Sequence, residues 1–233
     1  MKNKPKVACL LNSVGAGNIP LENFVAVNGE DIEKYLVVYY QSKAEVEAFI
    51  SEAYPKSNFT IHSCLNESQS QIGKLSRVDR LRKILQRIEP DVVHVHHTAI
   101  AVVASFFRIF NRFKLLITVH ASFGYYSRIQ KVAYSFSCLI ADQIICNSTN
   151  TCKQLPKFIN ENKKKVVYNG VNFDQIDKKI NGEKAVNAQF TIGTASRMTP
   201  VKDLDTIIKG FAYFLSTIDN KDVQLRLIGE GPE

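Results

Sequence analysis

Short runs of apolar residues alternate with longer amphipathic segments along most of the chain. The runs are rich in Val, Ile and Leu, which is typical of strands buried inside a sheet. The segments between them repeat apolar residues at spacings of three and four, the period of a helix. This alternation predicts an α/β fold with a parallel sheet covered on both faces. The predicted strands are Val7–Leu11, Tyr35–Tyr40, Phe59–His62, Asp91–His96, Leu115–Val119, Gln143–Cys146, Val166–Tyr168, Phe190–Ala195 and Val223–Ile228.

The alternation is interrupted once, after residue 172. A short helix is predicted over Phe173–Ile180, and the polar stretch that follows it has no periodicity, as expected of a linker. We predict a first domain over residues 1–178, a linker over 179–189 and a second domain over 190–233. A single β-α-β unit cannot cover its own sheet, so the second domain is expected to be incomplete and the chain to be a truncated product or a fragment.

The helices are predicted in the gaps between the strands. Lys43–Ala53 ends near a proline, Ile72–Ile88 combines an apolar stripe with many basic residues, and Leu204–Leu215 has a firm apolar face. Ala99–Lys114 interleaves phenylalanines with Arg and Lys. This last composition suits an anionic membrane surface, and it also suits a buried helix with a basic end.

The composition limits the class of protein. With 45% hydrophobic residues the chain can form a sizeable core, and no low-complexity tract indicates a disordered or fibrous protein. The five cysteines are odd in number, lack CxxC spacing and lie mostly in apolar runs, which fits a reducing cytoplasm. No apolar stretch approaches the roughly 20 residues that span a bilayer.

The formal net charge of +8 favours anionic partners. Nucleic acid, acidic lipid head groups and phosphorylated small substrates all satisfy it, and charge alone does not choose among them. The basic residues are dispersed and no DNA- or RNA-binding motif stands out, so we expect no nucleic-acid partner.

A glycine-containing turn follows the first predicted strand. Gly15 and Gly17 lie in the segment Asn12–Asn18, where the backbone can approach a ligand and present N–H groups to an anion. The segment lacks the third glycine of the dinucleotide-binding pattern and the lysine of a P-loop. A tight strand-to-helix turn and a loop that faces a diphosphate therefore both fit.

Histidines mark the ends of two later strands. His94 and His96 alternate on one face of a strand, and His97 lies at its carboxyl end, where α/β sheets place their sites. No cysteine or carboxylate cluster lies nearby, so we expect core or rim residues rather than metal ligands. His120 ends the next strand, where an imidazole can donate to a sugar hydroxyl or a developing oxyanion. A histidine that only caps the neighbouring loop also fits this position.

Two cations lie in the loop that opens the second β/α series. Arg197 and Lys202 stand between a predicted strand and the helix that follows it. Arg offers a planar fork and Lys a point charge, so together they suit a diphosphate, and their effect grows as negative charge develops on a departing nucleotide. Two solvated loop residues are the simpler alternative.

Six segments occur in an order and spacing that are more specific than any one of them. They are PDVVHVHH (Pro90–His97), ITVHASF (Ile117–Phe123), ADQIICNS (Ala141–Ser148), VVYNGVN (Val166–Asn172), ASRMTPVKDLDTIIKGFA (Ala195–Ala212) and LRLIGEGPE (Leu225–Glu233). Together they resemble the retaining GT-B glycosyltransferases of glycosyltransferase family 4. The resemblance implies two facing Rossmann-like domains, with the acceptor mainly on the first and the nucleotide-sugar donor mainly on the second. Enzymes of this kind keep the anomeric configuration and need no metal or other cofactor, because the UDP- or GDP-linked sugar is itself a substrate.

The resemblance also implies roles for particular residues. It places catalysis on His120, Arg197 and Lys202, donor binding on Gly15, Gly17, Arg197 and Lys202, and acceptor-side contacts on His97 and Asn18. In this family a carboxylate-containing segment that holds the donor ribose and sugar would lie beyond residue 233. We therefore expect the chain alone to have little or no transferase activity.

The function implied is transfer of a hexose to a saccharide or lipid-linked acceptor in cell-surface polysaccharide biosynthesis. The alternative is a noncatalytic acceptor-domain subunit or binding module that needs a separate donor-domain chain. In either case we expect a cytoplasmic protein, peripheral on the inner face of the membrane where the acceptor is lipid-linked.

Overall fold

Two parallel sheets, one in each of two compact units, form the framework of the protein. The computed structural model describes residues 4–27, 29–65, 73–121, 123–170, 173, 190–219 and 222–232, and the units are Met1–Val171 and Asn172–Glu233. The predicted α/β class with a parallel sheet is confirmed. The predicted linker over residues 179–189, and the predicted helix Phe173–Ile180 apart from residue 173, lie outside the described residues.

The first unit contains a seven-stranded sheet in which all strands are parallel. Its strands are β1 (Lys6–Leu11), β2 (Glu33–Val38), β3 (Thr60–Ser63), β4 (Val92–Val95), β5 (Lys114–Val119), β6 (Gln143–Cys146) and β7 (Lys164–Val166). Their order across the sheet is β3-β2-β1-β4-β5-β6-β7. The order reverses between β1 and β4, and such a switch point opens a crevice at the carboxyl edge of the sheet.

Helices cover both faces of this sheet. They are α1 (Ile19–Ala26), α2 (Lys43–Ala53), α3 (Lys74–Ile88), α4 (Thr98–Phe110), α5 (Arg128–Ile140) and α6 (Thr149–Lys153), with short 3-10 turns at Phe123–Tyr125 and Glu161–Lys163. The helices α1 and α2 pack with β1 and β2 in one buried cluster. The helices α3, α4 and α5 pack on the other face in a second, larger cluster. Each cluster is the core that the alternating pattern requires.

The strands of the first unit lie within two residues of their predicted bounds, α4 ends four residues earlier than predicted, and no bounds were predicted for α1, α5 and α6. The last strand is Lys164–Val166 rather than Val166–Tyr168, because lysines are tolerated on an edge strand and a search for apolar runs does not detect them. The helix α5 carries Ser135 and Ser137, which donate to the carbonyls of Lys131 and Ala133 one turn earlier. These local bonds satisfy polar side chains inside a helix, so its polar positions do not mark a loop.

Most cysteines of the first unit are core residues. Cys9, Cys64, Cys138 and Cys146 are buried, and all five cysteines are free thiols. Burial raises the pKa of Cys9 and Cys64 to about 12, so their thiols are unreactive at neutral pH. In the described part of the chain, no helix has both the length and the apolar character needed to cross a membrane.

Residues 190–219 and 222–232 of the second unit form a β-α-β arrangement. It contains β8 (Phe190–Ala195), a 3-10 turn over Pro200–Lys202, α7 (Leu204–Thr217) and β9 (Val223–Ile228). The strands β8 and β9 pair in parallel along their whole length. Both strands match the predicted bounds, and α7 extends two residues beyond the predicted helix. Much of the apolar surface of this small sheet is exposed, including Phe190 and Ile228.

Candidate functional site

The loop after β1 lies at the carboxyl edge of the first sheet, beside its switch point. Gly17 has a φ of +70°, a left-handed conformation that favours glycine. Gln41 holds the loop from the neighbouring strand end, since its Oε1 accepts from the Val14 N–H at 2.6 Å and its Nε2 donates to the Val14 carbonyl at 3.1 Å. A Cβ atom on Gly15 would meet no atom within 4 Å, so this part of the backbone is open to an approaching group.

The side chain of Asn18 is occupied within the same loop. It accepts from the Leu21 N–H at 3.1 Å as the N-cap of α1, and its Nδ2 donates to the Ser13 carbonyl at 2.9 Å. A cap of this kind fixes where the helix begins. The structure therefore gives Asn18 a structural role, and its predicted acceptor contact stays a prediction.

Three histidines meet at the carboxyl ends of β4 and β5. The Nδ1 of His96 lies 3.0 Å from the Nε2 of His120, so one ring nitrogen donates its proton to the other. The His94 and His96 rings are 4.1 Å apart between centroids, and the His94 Nε2 lies 2.7 Å from the Thr118 Oγ1. His96 is only 8% exposed. The pair His96–His120 is thus a fixed, largely buried hydrogen bond at the crevice.

Burial keeps this cluster uncharged. It lowers the pKa of His94 from 6.5 to about 4, and it lowers the pKa of His96 further still, with smaller contributions from the neighbouring histidines. Burial also lowers the pKa of His120, and His97 adds to that effect. At neutral pH each ring therefore has one donor and one acceptor nitrogen, which suits hydrogen bonding to a sugar hydroxyl.

His97 lies at the start of α4. It is the N-cap residue by backbone geometry, its side chain makes no capping hydrogen bond, and burial lowers its pKa. The backbone carbonyl of His120 accepts from the Asn147 Nδ2 at 3.1 Å. Asn147 follows β6, so three consecutive strand ends contribute to this arrangement. Within the described residues no group of three or more His, Cys, Asp or Glu side chains could hold a metal ion.

The second unit presents cations at the carboxyl edge of its own sheet. Arg197 and Lys202 are exposed and form no ion pair with any described residue. Asp203 caps α7 by accepting from the Thr206 N–H at 3.4 Å, and the neighbouring Asp205 is paired with Lys209 at 3.2 Å. Exposed cations next to a helix N-terminus are an arrangement that favours an anion.

Two glycines at the end of β9 allow the Arg197 loop to pack closely against it. Ser196 and Met198 donate their N–H groups to the carbonyls of Ile228 and Glu230, both at 2.9 Å. A Cβ atom on Gly229 would overlap the Ser196 backbone, and one on Gly231 would overlap the Met198 backbone. The loop geometry around Arg197 therefore depends on glycine at both positions.

Several residues of these two edges were not found from the sequence. Gln41 and Thr118 gave no signal, because each acts through a hydrogen bond to a neighbouring strand. Gly229 and Gly231 did give a signal, because the spacing Gly-Glu-Gly indicates a close backbone approach. Sequence reasoning also found no cavity near Lys34. The structure has one of about 780 Å³ there, at the amino edge of the first sheet and away from the histidines.

Comparison with known proteins places this architecture in a family. The model of Glycosyltransferase Family 4 matches residues 52–175, more than half of the chain. The chain belongs to Glycosyltransferase Family 4. The matched range contains His94, His96, His97 and His120, while Arg197 and Lys202 lie outside it. A search of curated protein sequences finds no match.

Solved structures show the same fold at low sequence identity. The chain is similar to Anabaena Alr3699/HepE in complex with UDP and glucose, with a TM-score of 0.72 and 18% identity over 97% of this chain and 61% of that one. It is similar to sucrose-phosphate synthase (tll1590) from Thermosynechococcus elongatus, with a TM-score of 0.71 and 12% identity over 97% and 62% of the two chains. The lipopolysaccharide outer core galactosyltransferase WaaB in its apo form gives a TM-score of 0.61 and 18% identity over 97% and 61%. The predicted GT-B architecture is confirmed, and the chain spans about three fifths of the length of these structures.

Proposed function

We propose that this family member transfers a hexose from a UDP- or GDP-linked donor to a saccharide or lipid-linked acceptor, with retention of anomeric configuration, in cell-surface polysaccharide biosynthesis. The observation that carries the proposal is the pair of exposed cations beside the N-terminus of α7, Arg197 and Lys202, which form no ion pair within the part of the chain that the structure describes. The structural neighbours support a nucleotide-sugar donor, since HepE is described in complex with UDP-glucose.

The diphosphate of such a donor fits the chemistry of this loop. A nucleotide diphosphate gains negative charge as the glycosidic bond to the sugar breaks, and a guanidinium and an ammonium both stabilise that charge. Asp205 competes little for either cation, because Lys209 already pairs with it at 3.2 Å. We propose that these two side chains take the role that a divalent metal serves in other transferases, so that no metal cofactor is needed.

His120 is proposed to contact the transferred sugar. Its Nε2 is engaged with His96, so the hydrogen bond between the two rings leaves the Nδ1 of His120 for a ligand. Because burial lowers the pKa of both rings, the pair is neutral at pH 7 and its hydrogen bond needs only one proton. A neutral imidazole held in one orientation can bind a hydroxyl without repelling the positive charge that develops on the sugar ring.

The loop after β1 and His97 are proposed to complete the contacts on the first unit. Gly15 and Gly17 leave backbone N–H groups unshielded by side chains, which suits an approach to a phosphate. We also propose that the acceptor is met at an anionic membrane surface on the inner face of the membrane.

Titration of the purified chain with UDP, GDP and their glucose conjugates tests the donor site. We expect saturable binding of one nucleotide, weakened about tenfold to a hundredfold in Arg197→Ala and in Lys202→Ala, since a hydrogen bond to a charged group contributes about 1.5–3 kcal/mol. Lys209→Ala is the matched control, because Lys209 is an exposed cation on α7 whose charge is already paired.

The outcome also separates the two functional alternatives. Nucleotide binding that survives in both variants would contradict the assigned cations. Absence of any nucleotide binding would contradict a donor site on this chain and favour a noncatalytic acceptor-domain subunit that needs a separate donor-domain chain.

A further inference from the structure

The outer surface of α4 and α5 is apolar over most of both helices. The two helices pack side by side on one face of the first sheet, and Phe106 contacts Phe136 with ring centroids 5.5 Å apart. The apolar side chains on the outer faces of these helices are defined here as the α4–α5 surface. They are Phe106, Ile109, Phe110, Ile129, Val132, Phe136 and Leu139.

All of these side chains except the half-buried Phe136 are exposed to an unusual degree for their size. Phe110 is 84% exposed, Ile129 83% and Val132 73%. Single exposed apolar residues are normal on a folded protein, but a contiguous group of them marks an interaction site. The helices do not need these residues for their own core, which is formed by Ile100, Ala104, Tyr134 and others on the inner side.

The charged residues of α4, of α5 and of the segment between them are all basic. From Val92 to Ala141 the sequence contains no Asp or Glu. Arg112, Arg128 and Lys131 form no ion pair with any described residue, whereas Arg108 and Lys114 share the carboxylate of Asp142. Free cations thus lie at both ends of an apolar surface, Arg112 beyond the end of α4 and the other two in the first turn of α5.

We propose that the α4–α5 surface is the part of the protein that binds an anionic membrane. Apolar side chains that enter the head-group boundary, with Lys and Arg reaching the lipid phosphates, form the usual chemistry of such binding. A second copy of the chain is a poor occupant, because a symmetric contact would bring these unpaired cations against the same cations of the partner. The complementary charge that the surface lacks is the charge that an acidic lipid supplies.

The position of this surface relates it to the candidate site. In a parallel α/β unit each helix begins at the carboxyl edge of the sheet, so Arg128 and Ile129 lie at the same edge as His120. A lipid-linked acceptor in the membrane would therefore have its head group near the histidine pair. This inference rests on the proposed function only for that acceptor, because membrane binding itself requires no transfer.

Co-sedimentation of the purified chain with vesicles tests the inference without any donor or acceptor. We expect binding to vesicles of phosphatidylglycerol and phosphatidylcholine at low salt, and loss of binding to pure phosphatidylcholine or at high salt. Arg128→Gln with Lys131→Gln should weaken binding at least tenfold, since each Lys or Arg near an anionic surface contributes about fivefold. Phe110→Ser with Ile129→Ser should weaken it by a similar factor.

A variant on the opposite face of the sheet is the matched control. Val27→Ser with Lys56→Glu changes one exposed apolar residue and one exposed cation on the side of α1 and α2, and it should bind vesicles like the unchanged protein. Circular dichroism checks that each variant is folded. Equal binding by the surface variants and the control, or a surface that holds the chain as a dimer in light scattering without lipid, would overturn the inference. Failure here would leave nucleotide binding by Arg197 and Lys202 untouched, so the two proposals fail separately.

Discussion

At the carboxyl edge of the first sheet the ionisable groups are buried and neutral, whereas at the carboxyl edge of the second they are exposed and charged. The first edge has histidines whose pKa values burial lowers: His96 and His120 share a hydrogen bond at 3.0 Å, and His94 bonds the hydroxyl of Thr118 at 2.7 Å. The second has Arg197 and Lys202 without an ion pair among the described residues. Both edges use the same topology, so the difference arises from the residues and not from the fold.

The contrast teaches what each edge can bind. Neutral imidazoles in a low-dielectric site discriminate by hydrogen-bond geometry, which suits the hydroxyl groups of a sugar. Exposed cations bind by charge and tolerate several anionic shapes, which suits a diphosphate. The first edge is expected to determine how a sugar is oriented, and the second to determine how strongly a nucleotide is bound.

The largest expected effect comes from removing His120, the more exposed member of the histidine pair. His120→Ala should lower hexose transfer about a hundredfold to a thousandfold, the usual cost of losing one preorganised hydrogen-bond donor. The measurement is transfer from a radiolabelled nucleotide sugar by extracts of the host cell that carries the variant. Nucleotide affinity should stay unchanged, and a loss of nucleotide binding would show that the two edges do not divide the work in this way.

A second effect follows from the lowered pKa values of the first edge. Below pH 6.5 the unfolded chain binds protons that the folded His94 does not take up until about pH 4, so stability is present above pH 6.5 and is lost as the pH falls toward 4. Between pH 7 and pH 5 we expect a loss of about 2 kcal/mol from His94 alone. Hydrogen exchange should locate this loss in the first unit, because the second contains no histidine. His94→Gln should make the dependence less steep, with the other buried histidines supplying the remainder, and an unchanged slope would contradict the assignment.

A third prediction concerns the glycines of the second edge. Gly231→Ala should destabilise the second unit by about 1–3 kcal/mol, the usual cost of overpacking, because the new methyl group would overlap the Met198 backbone. Gly210→Ala is the matched control, since a Cβ atom in the middle of α7 meets nothing within 4 Å. That control should stabilise the helix by about 0.5–1 kcal/mol. Thermal unfolding of both variants measures the difference, and equal effects would refute the close packing.

The smallest effect is expected at the loop after β1. Gln41→Ala removes both hydrogen bonds to Val14 and should cost about 0.5 kcal/mol of stability for each, the low end of the usual range, because the loop is open to water. Gln41→Glu keeps the acceptor but loses the donor, so its stability should lie between that of the unchanged protein and that of Gln41→Ala. Gln86→Ala is the control, because Gln86 only accepts from the exposed Arg82. Denaturant titration checks the order of the three variants, and a Gln41→Ala protein as stable as the control would contradict the clamp.

The strands were the most predictable part of the fold. Gln143–Cys146, Phe190–Ala195 and Val223–Ile228 agree with the structure to the residue, because each is a short run of β-favouring residues between breaks in the pattern. The edge strand Lys164–Val166 was displaced in the prediction, since its lysines break the apolar run. Helix α5 was not predicted, because its serines interrupt the apolar pattern. In the structure their hydroxyls donate to backbone carbonyls of the preceding turn, so they do not break the helix.

The candidate residues were predictable only as individuals. The alternation in the β4 segment placed His94 and His96 on one side, and His120 was recognised at the end of the next strand. Their contact depends on the register that pairs His94 with Leu116, which no local pattern fixes. The same limit applies to Gln41, whose partner Val14 is 27 positions away in the chain.

The Gly229–Gly231 segment also constrains how this protein can be altered. The backbone of residues 196–198 packs directly against the two glycines. The Arg197 loop and the end of β9 are therefore in contact, with no room for a side chain between them. Replacement of the Arg197 loop by the loop of a family relative would therefore require both segments to be exchanged together. In evolution, we expect an insertion in the Arg197 loop only together with a change at the end of β9.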